Sequence, residues 1–277
     1  MRNLNEHTIT DAVVARLVDT PDPRTRYIMT SLVRHLHAFA REVRLTEAEW
    51  LRGIRFLTAT GQMCDDTRQE FILLSDTLGL SMLTVAMNDD KPPGCTEPTV
   101  FGPFHVEGAP DYEHGDDVAN GAKGEPCLVR CSVKGLNGEP VAGATVEVWQ
   151  ADADGHYDVQ LPGLEEPQGR GVLRSDAGGR FHFRTVVAEA YPIPTDGPVG
   201  EMLRATGRHP WRPAHLHFMI TAPGYERLVT HVFRKGDKYL DSDAVFGVRE
   251  SLVGDWRVQP DGSHTLDFGF VLNPSAT

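Results

Sequence analysis

The chain has 277 residues, 40% of them hydrophobic and 24% charged, which suits one large domain or two modest ones and excludes general disorder and fibrous repeats. Lys and Arg number 27 against 39 Asp and Glu, and the net charge of −12 repels phosphate backbones and anionic lipid, so neither nucleic acid nor a membrane is an expected partner. No apolar run reaches the roughly 20 residues of a spanning helix, and no basic-then-apolar segment opens the chain, so the expected compartment is the cytoplasm.

The first ninety or so residues carry a helical period. Val13, Val14, Leu17 and Val18 recur at three and four, predicting a helix over residues 10–19 that the Pro21-Asp22-Pro23 break ends. Ile28, Leu32, Leu36, Phe39 and Val43 then form one apolar stripe. Thr46-Glu47-Ala48-Glu49 is a capping box before Trp50, Ile54 and Leu57, and a last helix carries Phe71, Leu74, Leu78 and Met82. Such stripes are generous for a small bundle and suit covering by a second subunit.

From about residue 126 the period becomes two. The strands expected are 127–133, 144–150, 179–186, 215–221, 228–234 and 265–272, separated by turns such as Asn137-Gly138 and Gly178-Gly179. Short strands, glycine-rich turns and no helical runs between them predict an antiparallel β-sandwich. The fold class is therefore α+β, with a helical domain over 1–97 and a sandwich over 98–277. The four cysteines form no CxxC pair, and Cys127 and Cys131 read as small buried hydrophobes.

The sharpest local signal is Arg212-Pro213-Ala214-His215-Leu216-His217-Phe218. In a strand His215 and His217 share one face and can converge on a single metal, although a chance pair with one exposed imidazole gives the same spacing. His231 in the next strand is either a ligand or a packed histidine. Tyr157 and Tyr191 stand in odd loop positions, each of which alone suits a packing tyrosine. His105 and His114, near the domain link, are expected at the surface.

Gly102-Pro103-Phe104, Val146-Glu147-Val148-Trp149-Gln150-Ala151-Asp152, Gly155-His156-Tyr157, Tyr191-Pro192-Ile193-Pro194 and the Arg212–Phe218 segment together resemble the intradiol ring-cleaving dioxygenases. The motifs occur in the family's order, and the resemblance runs from about residue 10 to the C-terminus. It implies a helical dimerisation domain, a catalytic sandwich and a homodimer, with lipid a candidate occupant of the helical interface. It implies one Fe(III) per subunit, held by Tyr157, Tyr191, His215 and His217. An aromatic diol or triol and dioxygen are the implied reactants, with Arg212 and Tyr191 as the catalytic pair. Fe(III) is a hard ion that favours anionic oxygen, and its charge draws a phenol far below its usual pKa near 10.

Within the family, Asp76 in Leu73-Leu74-Ser75-Asp76 resembles the acidic pocket residue of the branch that opens hydroxyquinol (benzene-1,2,4-triol). Val100-Phe101-Gly102-Pro103-Phe104 and the segment Tyr239 to Val248 are similar to the same branch. Leu73, Asp76, Val100, Phe101, Gly102, Pro103, Phe104, Ile193, Pro194 and Arg212 are then the implied pocket, and 3-hydroxy-cis,cis-muconate, the tautomer of maleylacetate, is the product. The alternative within the family is cleavage of catechol to cis,cis-muconate. Two readings of other classes are a non-catalytic binding module of transthyretin-like shape and a hydrolytic Zn(II) site on His215, His217 and His231.

Overall fold

The structure, a computed structural model, describes residues 2–65 and 68–275. The backbone forms two compact units, residues 1–59 and residues 60–277. The border expected at 97/98 falls inside the second unit, in a turn-rich stretch.

The first unit holds α1 (Ile9–Ala15), α2 (Pro23–Glu42) and most of α3 (Glu47–Gln62). Helix α1 stops short of residue 19 because the amides of Arg16 and Leu17 bond back three residues, to Val13 and Val14, tightening the last turn. Asp22 then caps α2, accepting from the amides of Arg24 at 3.3 Å and Thr25 at 2.7 Å, with Pro23 in the first turn. The same Pro-Asp-Pro run thus ends one helix and starts the next. The capping box of α3 forms as expected: the Thr46 amide donates to Glu49 at 2.9 Å and the Glu49 amide to Thr46 Oγ1 at 3.3 Å. The apolar stripe of α2, from Ile28 to Val43, is between 47% and 58% exposed.

The second unit opens with α4 (Glu70–Thr77) and α5 (Leu80–Met87). These were expected as one helix through Phe71 and Met82. Instead Gly79, at φ +74, breaks the ladder and the two axes differ by 74°. Among the described residues no single helix is long and apolar enough to cross a membrane.

Eleven strands are described: β1 (Pro126–Gly135), β2 (Thr145–Gln150), β3 (Arg170–Arg174), β4 (Arg180–Val186), β5 (Tyr191–Pro192), β6 (Trp211–Arg212), β7 (His215–Thr221), β8 (Leu228–Arg234), β9 (Val253–Gly254), β10 (Trp256–Val258) and β11 (His264–Leu272). They build a four-stranded sheet in the order β10-β11-β1-β4, a five-stranded sheet β3-β2-β7-β8-β9 and a small two-stranded sheet β5-β6. All six expected strands are present. Two pairings inside the antiparallel sandwich, β1 with β11 and β8 with β9, run parallel. A helix α6 (Pro198–Ala205) was not expected; Glu70 Oε1 accepts the Val199 amide at 3.1 Å and so caps its start from α4.

Between the sheets, Val129, Phe181, Phe183 and Phe270 meet Val146, Val148, Leu216, Phe218 and Ile220, all at most 1% exposed. Phe218 and Phe270 lie 4.7 Å apart across that layer. Since side chains alternate along a strand, sending Leu216, Phe218 and Ile220 into the core turns His215 and His217 to the opposite face of the five-stranded sheet.

Candidate metal centre

On that opposite face β7 lies between β2 and β8, which puts Trp149 and His231 directly across from His217 on either side. Trp149 stacks on the His217 ring, with centroids 4.6 Å apart and planes at 18°. The two-stranded sheet β5-β6 pairs Tyr191 with Arg212, three residues before His215. Tyr157 arrives from the loop after β2. Asp152 Oδ1 shapes that loop by accepting the amides of Asp154 and His156, both at 2.9 Å. Gly155 follows at φ +80, and a Cβ there would lie 2.9 Å from the Tyr191 Cβ, so glycine alone lets this loop close on β5.

Four donor atoms converge. Tyr157 Oη lies 2.9 Å from His217 Nε2 and 3.4 Å from both His215 Nε2 and Tyr191 Oη, and the two Nε2 atoms are 3.1 Å apart. Donors held about 2.0–2.1 Å from one small first-row ion, at angles of about 90–110°, stand about 2.8–3.4 Å from one another. The spacing therefore fits a single ion. All four residues are at most 2% exposed. Burial, followed by the neighbouring Tyr191, pushes the Tyr157 phenol well above its ordinary value. Burial pulls His215, His217 and His231 well below the usual imidazole range. The site thus offers neutral imidazole lone pairs beside two phenol oxygens, of which that of Tyr157 ionises only against a strong positive charge, and oxygen donors of this kind suit a hard cation.

The orientations of the donor side chains are fixed from behind. His215 Nδ1 donates to the Pro213 carbonyl at 2.7 Å, leaving Nε2 as the lone pair. His217 Nδ1 meets His231 Nε2 at 2.8 Å. Phe104 stacks on Tyr157 at 4.4 Å, and the backbone behind both is tied by Arg170, which pairs with Asp158 and donates to the Phe104 carbonyl at 3.1 Å. Arg170 and Asp158 went unnoticed in the sequence, where no motif marks them.

Arg212 is 2% exposed, with Nη1 lying 3.4 Å from Tyr191 Oη and 3.3 Å from His215 Nε2. Burial alone would weaken its charge, but Asp243 and then Tyr191 hold the guanidinium firmly protonated. Asp243 also went unnoticed as a partner. Asp76 is buried on α4, one turn after Leu73, and not solvated as an ordinary helix carboxylate would be. Burial raises its pKa, while Ser81 and Arg212 oppose that rise.

Leu73, Pro103, Phe104 and Pro194 share the wall of a cleft of about 170 Å³ with Arg68 and Val159. Gly102 brings its backbone beside His217, where a Cβ would lie 3.2 Å from the ring. Val100 and Ile193 are buried next in sequence to Thr99 and Pro192. Phe101 stands outermost at 41% exposed, against Trp149 and His105 and one ring removed from His217. His105, expected at the surface, is half-buried and meets Glu147 at 2.8 Å. Cys127 and Cys131 are buried as expected.

The chain matches the family model described as Dioxygenase over residues 100–274 and that of the Catechol dioxygenase N terminus over residues 22–96. It is 78% identical to a 6-chlorohydroxyquinol 1,2-dioxygenase of Cupriavidus pinatubonensis, across 99% of this chain and 100% of that one. It is 53% identical to a hydroxyquinol 1,2-dioxygenase of Nocardioides simplex, across 94% of this chain and 88% of the relative. The crystal structure of a hydroxyquinol 1,2-dioxygenase from Pseudomonas putida superposes with a TM-score of 0.91 at 51% identity, covering 98% of this chain and 99% of that one.

Proposed function

The chain belongs to the intradiol ring-cleavage dioxygenases, and from that premise we propose that it opens hydroxyquinol with dioxygen to 3-hydroxy-cis,cis-muconate, the tautomer of maleylacetate. The observation that carries the reading is the buried acid Asp76, within electrostatic reach of Arg212 beside the four convergent donors. A carboxyl in that place accepts a third ring hydroxyl, which catechol lacks, and a polar site left unpaired disfavours the smaller ring.

Tyr157, Tyr191, His215 and His217 would hold one ferric ion per subunit. Iron held there would supply the Lewis acidity that favours ionised ring hydroxyls and primes the ring for dioxygen. Tyr191 Oη would accept one of the two substrate protons and a solvent-derived hydroxide the other, so no separate carboxylate base is needed at the ring. Arg212 keeps its charge at the same place and stabilises the negative charge that the ring gains. Leu73, Val100, Phe101, Gly102, Pro103, Phe104, Ile193 and Pro194 wall the ring and exclude water.

On this reading the functional border lies at 97/98, between a helical assembly domain and the catalytic sandwich. The exposed stripe of α2 supports a homodimer through the N-terminal helices, with a lipid chain as a further occupant of that interface. The cytoplasm is the proposed compartment. A substrate panel tests the function: kcat/KM for hydroxyquinol should exceed that for catechol at least about 10²-fold, and equal values would overturn the substrate assignment. A 6-chloro-substituted ring belongs in the panel because one relative is named for it.

A further inference from the structure

Three imidazoles, His215, His217 and His231, offer ring nitrogens within 4.8 Å of one another, which on spacing alone reads as a three-histidine metal site. The hydrogen bonds divide them differently. His217 and His231 face each other across β7 and β8, their planes at 89° and their centroids 4.1 Å apart. The nitrogen of His217 that meets His231 Nε2, at 2.8 Å, is Nδ1, while Nε2 is the nitrogen 2.9 Å from Tyr157 Oη. The remaining nitrogen of His231, Nδ1, meets Thr99 Oγ1 at 2.9 Å. Both nitrogens of His231 are thereby engaged, and all three residues are at most 3% exposed.

A neutral imidazole has one N–H and one lone pair. For His217 Nε2 to offer its lone pair to an ion, the proton must sit on Nδ1 and find an acceptor there. His231 Nε2 is that acceptor, which puts the His231 proton on Nδ1, donated to the Thr99 hydroxyl oxygen. Run the other way, Thr99 donates to His231, His231 donates to His217, and the proton lands on the very nitrogen that must ligate. His215 has no such freedom, because its Nδ1 faces a carbonyl that only accepts. We propose that His231 is a positioning residue: through the chain Thr99–His231–His217 it holds His217 as the Nδ1–H tautomer and is not itself a third metal ligand. This deepens the metal-site reading above and rests on it for its consequence, the ion affinity.

Nuclear magnetic resonance of protein carrying [¹⁵N]histidine tests the assignment without any variant. In the metal-free protein a coupling across the His217 Nδ1–His231 Nε2 hydrogen bond is expected, with the one-bond N–H coupling on His217 Nδ1; a proton found on His231 Nε2 instead overturns the proposal. After loading with Ga(III), a diamagnetic trivalent probe, Nε2 of His215 and His217 should shift, His217 should carry its proton on Nδ1, and neither nitrogen of His231 should show a metal-bound shift. A metal-bound shift on His231 overturns it. In chelator competition His231→Leu should bind Ga(III) about 10–100-fold more weakly than wild type, the usual effect of losing such a partner. His231→Gln, whose amide oxygen accepts from Nδ1–H, should stay within a few-fold of wild type. Equal affinity in wild type and His231→Leu, or equal loss in both variants, overturns the proposal. Wild type that takes up no trivalent ion overturns the metal site instead, and the one-bond N–H coupling on His217 Nδ1 in the metal-free protein still reads the tautomer.

Discussion

Asp243 holds one edge of the Arg212 guanidinium and leaves the other edge to the donor cluster. Arg212 Nε and Nη2 donate to the two carboxylate oxygens at 3.0 and 3.3 Å, while Nη1 stands 3.3 Å from His215 Nε2. The same carboxylate accepts the amides of Val245 at 3.3 Å and Gly247 at 3.0 Å, so the segment 239–248 sets the cation's orientation.

Removing that carboxylate leaves a buried cation unpaired, which costs about 3–5 kcal/mol. Asp243→Ala should lose stability on that scale in urea unfolding, and kcat/KM should fall with it. Asp243→Asn, which keeps one acceptor oxygen, should fall between. A fully stable, fully active Asp243→Ala variant would show that Arg212 needs no such support.

Asp76→Ala tests the specificity of the pocket. Its kcat/KM for hydroxyquinol should drop on the order of 10³-fold, and for catechol far less, because only the triol loses a partner. Equal losses on both rings would remove the specificity role and leave Asp76 a structural residue.

The two phenols were legible only as parts of ordered motifs. Tyr157 and Tyr191 are 34 residues apart and meet because Gly155 lets one loop close on β5. The histidine pair was legible from strand alternation itself. The ion pairs behind the site were not, since Arg170–Asp158 and Arg212–Asp243 span 12 and 31 residues with no local pattern. Strand β3 escaped notice because its sequence, RGVLR, lacks a period-two apolar face. The bend after α4 follows from Gly79, which the apolar period alone does not register.

Gly155→Ala should perturb the site from a distance. A Cβ at positive φ costs about 1–2 kcal/mol, and this one also presses on the Tyr191 Cβ. The variant should show a shifted visible band and lower kcat. An unchanged spectrum would mean that the loop relaxes without moving Tyr191.

Alkaline unfolding reports on the sandwich core. Burial pushes the Cys127 thiol up to about 12 from its ordinary value of 9.0, so between those limits the unfolded chain has released a proton that the folded one keeps. Stability is therefore full below pH 9 and falls as pH rises toward 12, at about 1.4 kcal/mol per pH unit for this group. Cys127→Ala should flatten the slope measured by urea unfolding from pH 8 to 10.5. An identical slope in both proteins would place the alkaline transition elsewhere.

The most direct measurement is metal content together with the visible spectrum of the aerobically purified protein, wild type beside Tyr157→Phe. The account predicts about one iron per chain and a red-brown band from phenolate-to-iron charge transfer, with both band and bound iron lost or sharply reduced in the variant. A colourless wild type holding stoichiometric zinc, or a Tyr157→Phe protein with an unaltered band, would contradict it.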